Sequence, residues 1–340
     1  MATIPGSSVL SRTWTARVGS DATAFRVSSD GRLLAVGTGS GAVFVFDVEW
    51  GTVLFQLAAH PGGVLSLDWS PTSQVLATAG QDGFARLFDL RGDQLEALPG
   101  LGPWVEHVSW SPNGEMLATS SEKVVCIWTA AGALAWKTDA HEGTVTGVAW
   151  NHHSTELVTA CYGGAQLFRV ARRSTTRRFP WRGSLISLAW SPTGAVIACG
   201  THECSVRFWR ISTGQDSEIS GFPSQPRVLS WDSEGRLLAT GGASTVNVWG
   251  FEDGGPEGTP PIQLSGHSAL CTALAFHPSR AVLASGADDM RVLLWEPRNV
   301  RTPLAADCLE DTVTAIAWTP DGARLLAADA SGTVRCWRLS

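Results

Sequence analysis

The chain has 340 residues, 44% of them hydrophobic and 16% charged, with a formal net charge of −6. That balance excludes a disordered polar chain, and the acidic net charge argues against a general nucleic-acid binder, which carries a basic surface. Thirty-six Gly and 16 Trp beside a single Tyr are too much Gly for a helical protein.

At the N-terminus, MATIPGSSVLSRTW lacks a basic leader and an apolar run, so it does not read as a signal peptide. No apolar run approaches the ~18 residues of a membrane-spanning helix. The seven Cys form no CxxC pair; Cys126, Cys161, Cys271 and Cys336 sit in apolar or small-residue runs, where a thiol acts as a small hydrophobe. A reducing compartment follows, and a cytoplasmic location is expected.

From Val27 onward the chain repeats. A large residue, usually Trp, precedes a Ser-Pro-type turn at Val27, Trp69, Trp110, Trp150, Trp190, Trp231, Phe276 and Trp318, with spacings of 42, 41, 40, 40, 41, 45 and 42 residues. Each unit carries a short alternating strand and then a turn such as Ser111-Pro112-Asn113-Gly114. The second strand is wholly apolar or small, as in LLAVGT or VLASGA, which suits burial on both faces. The third strand ends at Phe46, Phe88, Trp128, Phe168, Trp209, Trp249, Trp295 or Trp337. A weaker, more polar fourth strand leads on. One such sheet cannot bury both faces alone, whereas a closed ring of them can. The expectation is therefore all-β: one eight-bladed β-propeller spanning 1–340. The last unit stops after its third strand at Ser340, and the run Val9–Thr15 lies where a fourth strand belongs. It is expected to complete the last blade, so that deleting 1–17 opens an edge.

Several stretches invite a chemical reading. Gly37-Thr38-Gly39-Ser40-Gly41 resembles a phosphate loop but falls at a hairpin turn with no helix after it. His152 and His153 share a turn, where adjacent side chains are expected to point apart and not to bind a metal together. Arg169, Arg172, Arg173, Arg177, Arg178 and Arg182 lie within fourteen residues free of acids. They read either as an edge strand blunted by charge or as a strip for an acidic partner, an RNA backbone or an anionic surface. His202, Glu203 and Cys204 share a tight turn without an evident fourth ligand, and Asp288-Asp289 forms no catalytic pair with other groups. The insertion Phe251–Pro261 is expected to be a mobile loop on the face of the Ser-Pro turns. No grouping of nucleophile and base stands out, so no catalytic, metal or cofactor site is expected.

These units resemble the WD40 family over nearly the whole chain. The strongest is Ser265-Gly266-His267 through Trp295, with Ser285 and Asp289 between; the next has His60, Thr78 and Asp82, with Phe88 in the Trp position. In that family the His, a strand Ser/Thr, a turn Asp and a strand Trp form a buried hydrogen-bonded network. The His position is otherwise kept only at His141, opposite Tyr162 rather than Asp, so what satisfies His141 stays open. Units lacking both partners are expected to replace the network by packing.

The resemblance implies a non-catalytic scaffold, monomeric on its own, that binds one or more proteins or peptides over the narrow propeller face. By register that face holds Asp21, Gln81, Trp104, Thr144, His202, Leu270 and Asp288. Trp104 either stands exposed as an anchor or folds inward over Leu101, whereas Trp181, at a His position, is read as structural. Two alternatives stay open: an RNA or polyanion module using the Arg169–Arg182 strip, and a metal-homeostasis accessory. The latter follows from likeness to stand-alone bacterial or plant WD40 proteins, some of which accompany metallochaperone-type GTPases.

Overall fold

The computed structural model describes residues 9–252 and 255–340. Met1 to Ser8 of the N-terminal stretch, and Asp253 and Gly254 of the insertion, lie outside them. Eight antiparallel sheets follow one another along the chain, seven of four strands and one of three. The three-stranded sheet is the fourth blade. There Glu156–Arg169 runs through its hairpin as one strand, because Tyr162 at the tip pairs with Ser184 of the long outer strand Ser174–Ser184.

The alternating and the wholly apolar strands take the places their patterns demand. Among the second strands, Leu76–Gly80 and Leu283–Ala287 are buried at every residue, since a neighbouring blade covers each face. Eight apolar clusters fill the seams, each drawing on two successive blades. Val18, Leu34, Val36 and Phe46 of blade 1 pack with Leu326, Ala328, Val334 and Cys336 of blade 8, so the ring is closed.

The repeating Trp before each Ser-Pro turn works across the seam. Trp69 Nε1 donates to the Arg26 carbonyl (3.1 Å), Trp150 Nε1 to Ser109 (3.0 Å) and Trp318 Nε1 to Ala275 (3.0 Å). Each ring is buried, and each bond reaches the inner strand of the preceding blade. Trp110 and Trp190 keep the packing, but their indole N–H groups find no partner among the described residues. Inner-strand hydroxyls add to the stitching: Thr23 Oγ1 donates to the Val64 carbonyl at 2.6 Å and Thr146 Oγ1 to that of Leu185 at 2.6 Å.

Closure is made by the N-terminal strand Leu10–Arg17, which pairs antiparallel with Thr333–Leu339 from Leu10↔Leu339 to Arg17↔Thr333. Asp307, on the outer strand of blade 7, ties this last blade down. It accepts Trp337 Nε1 at 2.7 Å and Arg12 Nη2 at 2.9 Å. Burial pushes its carboxyl up, but the Trp337 indole and the Arg12 guanidinium help hold it below its ordinary value.

The insertion departs from expectation. It lies on the face of the Ser-Pro turns, where Phe251 N bonds the Arg236 carbonyl, but its described residues are pinned. Phe251 meets Trp231 and Phe208 edge-on, with ring centroids 4.6 and 5.0 Å apart. Glu257 accepts Ser217 Oγ (2.6 Å) and Arg210 Nη2 (2.8 Å) of blade 5. Gly and Pro content alone concealed these anchors.

Candidate functional site

The narrow face is a ring of paired loops. In five blades the hairpin between the second and third strands donates a backbone N–H to the loop leading into the first strand. The bonds are Gly39 to Asp21 (3.1 Å), Gln81 to Gly63 (3.1 Å), His202 to Ser184 (3.0 Å), Asp288 to Leu270 (2.9 Å) and Ala330 to Thr312 (2.9 Å). In blade 3 a side chain replaces the backbone donor, and Ser121 Oγ reaches the Trp104 carbonyl at 2.7 Å. The loops of these six blades are thus held by their own blades, and the side chains between are free to face outward. Asp21, Thr144, His202 and Asp288 are exposed there, and Gln81 is half-buried.

The apolar side chains on these loops are unusual. Trp104 is 48% exposed, Leu101 52% and Leu270 46%, so Trp104 does not fold inward over Leu101. Blade order sets Trp104, at the entry to blade 3, across the ring from Leu270, at the entry to blade 7. Tyr162 and Met290 are also exposed on these turns. Their exposure is not legible in the sequence, because a turn carries no burial pattern. Beside Leu270, between blades 6 and 7, opens a cavity of about 360 Å³ walled by Val228, Thr272 and the Gly242 backbone.

Beneath the face, the polar networks explain which blades keep their His. In blade 7, Trp295 Nε1 donates to Ser285 Oγ (2.8 Å), the Ser285 hydroxyl meets His267 Nε2 (2.7 Å), and His267 Nδ1 meets Asp289 (3.0 Å). Burial lowers the His267 pKa, so the ring is neutral and each nitrogen has one partner. Blade 2 repeats the core of this with His60, Thr78 (2.7 Å) and Asp82 (2.8 Å). Blade 4 resolves the open question. His141 Nε2 meets Thr159 Oγ1 at 2.8 Å, while its Nδ1 donates to the Lys123 backbone carbonyl at 2.7 Å. A main-chain oxygen stands in for the missing Asp.

The expectation that packing replaces the network elsewhere needs correction in blade 8. There Leu309 stands at the His position, yet Asp329 is fully buried and accepts from the backbone N–H groups of Glu310 (3.0 Å), Asp311 (3.2 Å), Ser331 (3.0 Å) and Thr333 (2.8 Å). One carboxylate binds both loops directly. The sequence pattern does not single it out, because Asp329 lies two residues before Ser331, the position that aligns with Asp82 and Asp289.

Other candidates resolve as follows. The His152 and His153 rings do not point apart; their centroids lie 3.7 Å from each other, because the turn places both on one side. No group of three or more His, Cys, Asp or Glu able to hold a metal occurs among the described residues. His202 and Glu203 are exposed and Cys204 is half-buried at φ +59°. Trp181 is half-buried under the Arg207 guanidinium, 3.8 Å from its ring centre. In the Arg strip, Arg169 pairs with Glu156 (3.2 Å) and Arg177 bonds the Ile211 carbonyl. Arg172, Arg173, Arg178 and Arg182 are exposed and form no ion pair among the described residues. Among those residues no helix is long and apolar enough to cross a membrane.

A closed ring of four-stranded blades with stitched narrow-face loops defines a β-propeller. The WD domain, G-beta repeat family matches residues 51–89, 93–129, 132–165, 175–210, 258–296 and 304–338, more than half of the chain. The protein therefore belongs to the WD40-repeat family. It is 26% identical over 275 residues to the WD repeat-containing protein slp1 of Schizosaccharomyces pombe, which covers 79% of this chain and 48% of that one. Telomerase protein component 1 of Rattus norvegicus is 28% identical over 334 residues, 92% of this chain and 12% of its own. The anaphase-promoting complex subunit cdh1 of Dictyostelium discoideum is 24% identical over 275 residues, 77% and 34%. The chain thus spans about half or less of each relative's length. The computationally designed Ika8 protein shares the fold, with a TM-score of 0.80 at 21% identity over 95% of this chain and 97% of that one.

Proposed function

We propose that this chain is a non-catalytic scaffold that binds a partner protein or peptide over the narrow face of the propeller. The observation that carries the reading is the exposure of Trp104, Leu101 and Leu270 on loops fixed by their own hydrogen bonds. A solvent-facing Trp on a fixed loop, with Leu101 on the same loop and Leu270 across the ring, is what an interface anchor needs, because little entropy is lost when a partner covers it. Asp21, Gln81, Thr144, His202 and Asp288 supply a polar rim around these anchors. Relatives named as a subunit of the anaphase-promoting complex and as a telomerase protein component fit a family that works in assemblies.

The test is a pull-down from native extract with the wild type, a Trp104→Ala/Leu270→Ser variant and a Thr72→Ala/Thr193→Ala control on the opposite face. The reading expects a stoichiometric protein held by wild type and control and lost from the narrow-face variant. Equal capture by all three would contradict it. Arg172, Arg173, Arg178 and Arg182, which form no ion pair among the described residues, favour a second reading, a polyanion strip on blade 4. It requires salt-sensitive binding of single-stranded RNA that vanishes when these four become Gln.

A further inference from the structure

The cavity between blades 6 and 7 is built differently from the rest of the narrow face. Its walls are apolar: Val228 on one side, Leu270 and the Thr272 side chain on the other. The backbone comes close at Gly242, which holds φ +118° and where an added Cβ would fall 2.2 Å from the Gln225 carbonyl oxygen. Glycine is therefore required at this wall, both for the left-handed backbone and for the close approach.

Two polar groups break the apolar lining. The Ser224 hydroxyl is shielded from water and has no hydrogen-bond partner among the described residues. Arg227 lines the same cavity, is exposed, and forms no ion pair among the described residues. Its guanidinium is nevertheless held in place. Gln225 Oε1 accepts its Nη2 (2.7 Å) and Nε (3.2 Å), and Gln225 Nε2 donates to the His202 carbonyl at 3.4 Å. A fixed, uncompensated cation at the lip of an apolar hole is complementary to an anion attached to an apolar group.

We infer that this cavity is a peptide subsite that takes one apolar side chain of a partner protein, with an Asp or Glu of the same segment on Arg227. The inference rests on the narrow-face reading and deepens it by assigning the chemistry of the bound segment. Direction follows as well. Asp288, exposed on the hairpin that bonds the Leu270 carbonyl, repels a second carboxylate on the blade 7 side. The acidic residue must therefore point toward blade 6.

The test is selection of random heptapeptides displayed on phage against the folded protein, followed by fluorescence anisotropy of the selected peptides. The expected motif is an aliphatic or aromatic residue with Asp or Glu within two positions. Affinity should fall at least about tenfold in Arg227→Gln and in Leu270→Ser, should rise in Asp288→Asn, and should be unchanged in Thr72→Ala on the opposite face. Peptides without an acidic residue, peptides that bind Arg227→Gln and Leu270→Ser undiminished, or no selection above background would overturn the inference. Peptides lost only in Trp104→Ala would overturn the subsite and leave the narrow-face reading standing. Peptides indifferent to all of these substitutions would count against both.

Discussion

Asp289 offers a sharp test of how the loops are held. Replacing it with Ala leaves His267 Nδ1–H without its acceptor at 3.0 Å. It also strips the backbone N–H groups of Ser268 (2.8 Å) and Arg291 (3.1 Å). The carboxylate is only 7% exposed, so water replaces these bonds poorly. Leaving the His267 and Arg291 donors unpaired costs about 1–3 kcal/mol each, the exposed Ser268 N–H adds little, and partial relaxation of the turn brings the sum to about 2–4 kcal/mol. In a chain this long, roughly 2 °C of melting temperature accompanies each kcal/mol, so a drop of about 4–8 °C follows. The assay is far-UV circular dichroism melting at pH 7.5, with Asp288→Ala as the exposed neighbour that should change nothing. An Asp289→Ala protein melting within about 1 °C of wild type would refute the network as a source of stability.

Asp329→Ala should be at least as damaging, because this fully buried carboxylate serves four backbone donors on two loops; a melt checks it. Stability should fall on acidification. Burial holds His107, bonded to Ser120 Oγ at 2.8 Å, down to about 4 from 6.5, so the unfolded chain takes the proton first and stability drains as pH falls from 6.5 toward 4. His60, His141 and His267 shift the same way. A urea midpoint as high at pH 4.5 as at pH 7.5 would contradict this, and His107→Leu should flatten the dependence. Deleting residues 1–17 removes the strand paired to Thr333–Leu339 and the contact of Trp14 with Phe46. The truncated chain should lose its cooperative melt or aggregate through the open edge, as light scattering will show.

The architecture was readable because packing repeats leave a period. The anchors from Val27 to Trp318, the wholly apolar second strands and the orphan run at Val9 each encode a strand that must stack, and stacking fixes the ring. The face was readable too, since hairpin positions follow from the same period. Its chemistry was not. The bond from Ser121 Oγ to the Trp104 carbonyl and the exposure of the Trp104 ring are contacts and absences of contact between turns that no local pattern announces. The Lys123 carbonyl under His141 is invisible for a related reason, because every residue has a carbonyl. Ser224 and Arg227 looked like ordinary loop residues, and only the approach of blade 7 makes a cavity between them and Leu270.

The most direct test of the account is site-specific photo-crosslinking in native extract. A photoreactive residue is placed singly at Gln81, Thr144 or Asp288 on the narrow face, and at Thr72 or Thr193 on the opposite one. One crosslinked protein band shared by the narrow-face positions is expected, absent from Thr72 and Thr193 and suppressed by Trp104→Ala/Leu270→Ser. Crosslinks confined to Thr72 or Thr193, or narrow-face crosslinks that survive the double substitution, would contradict it.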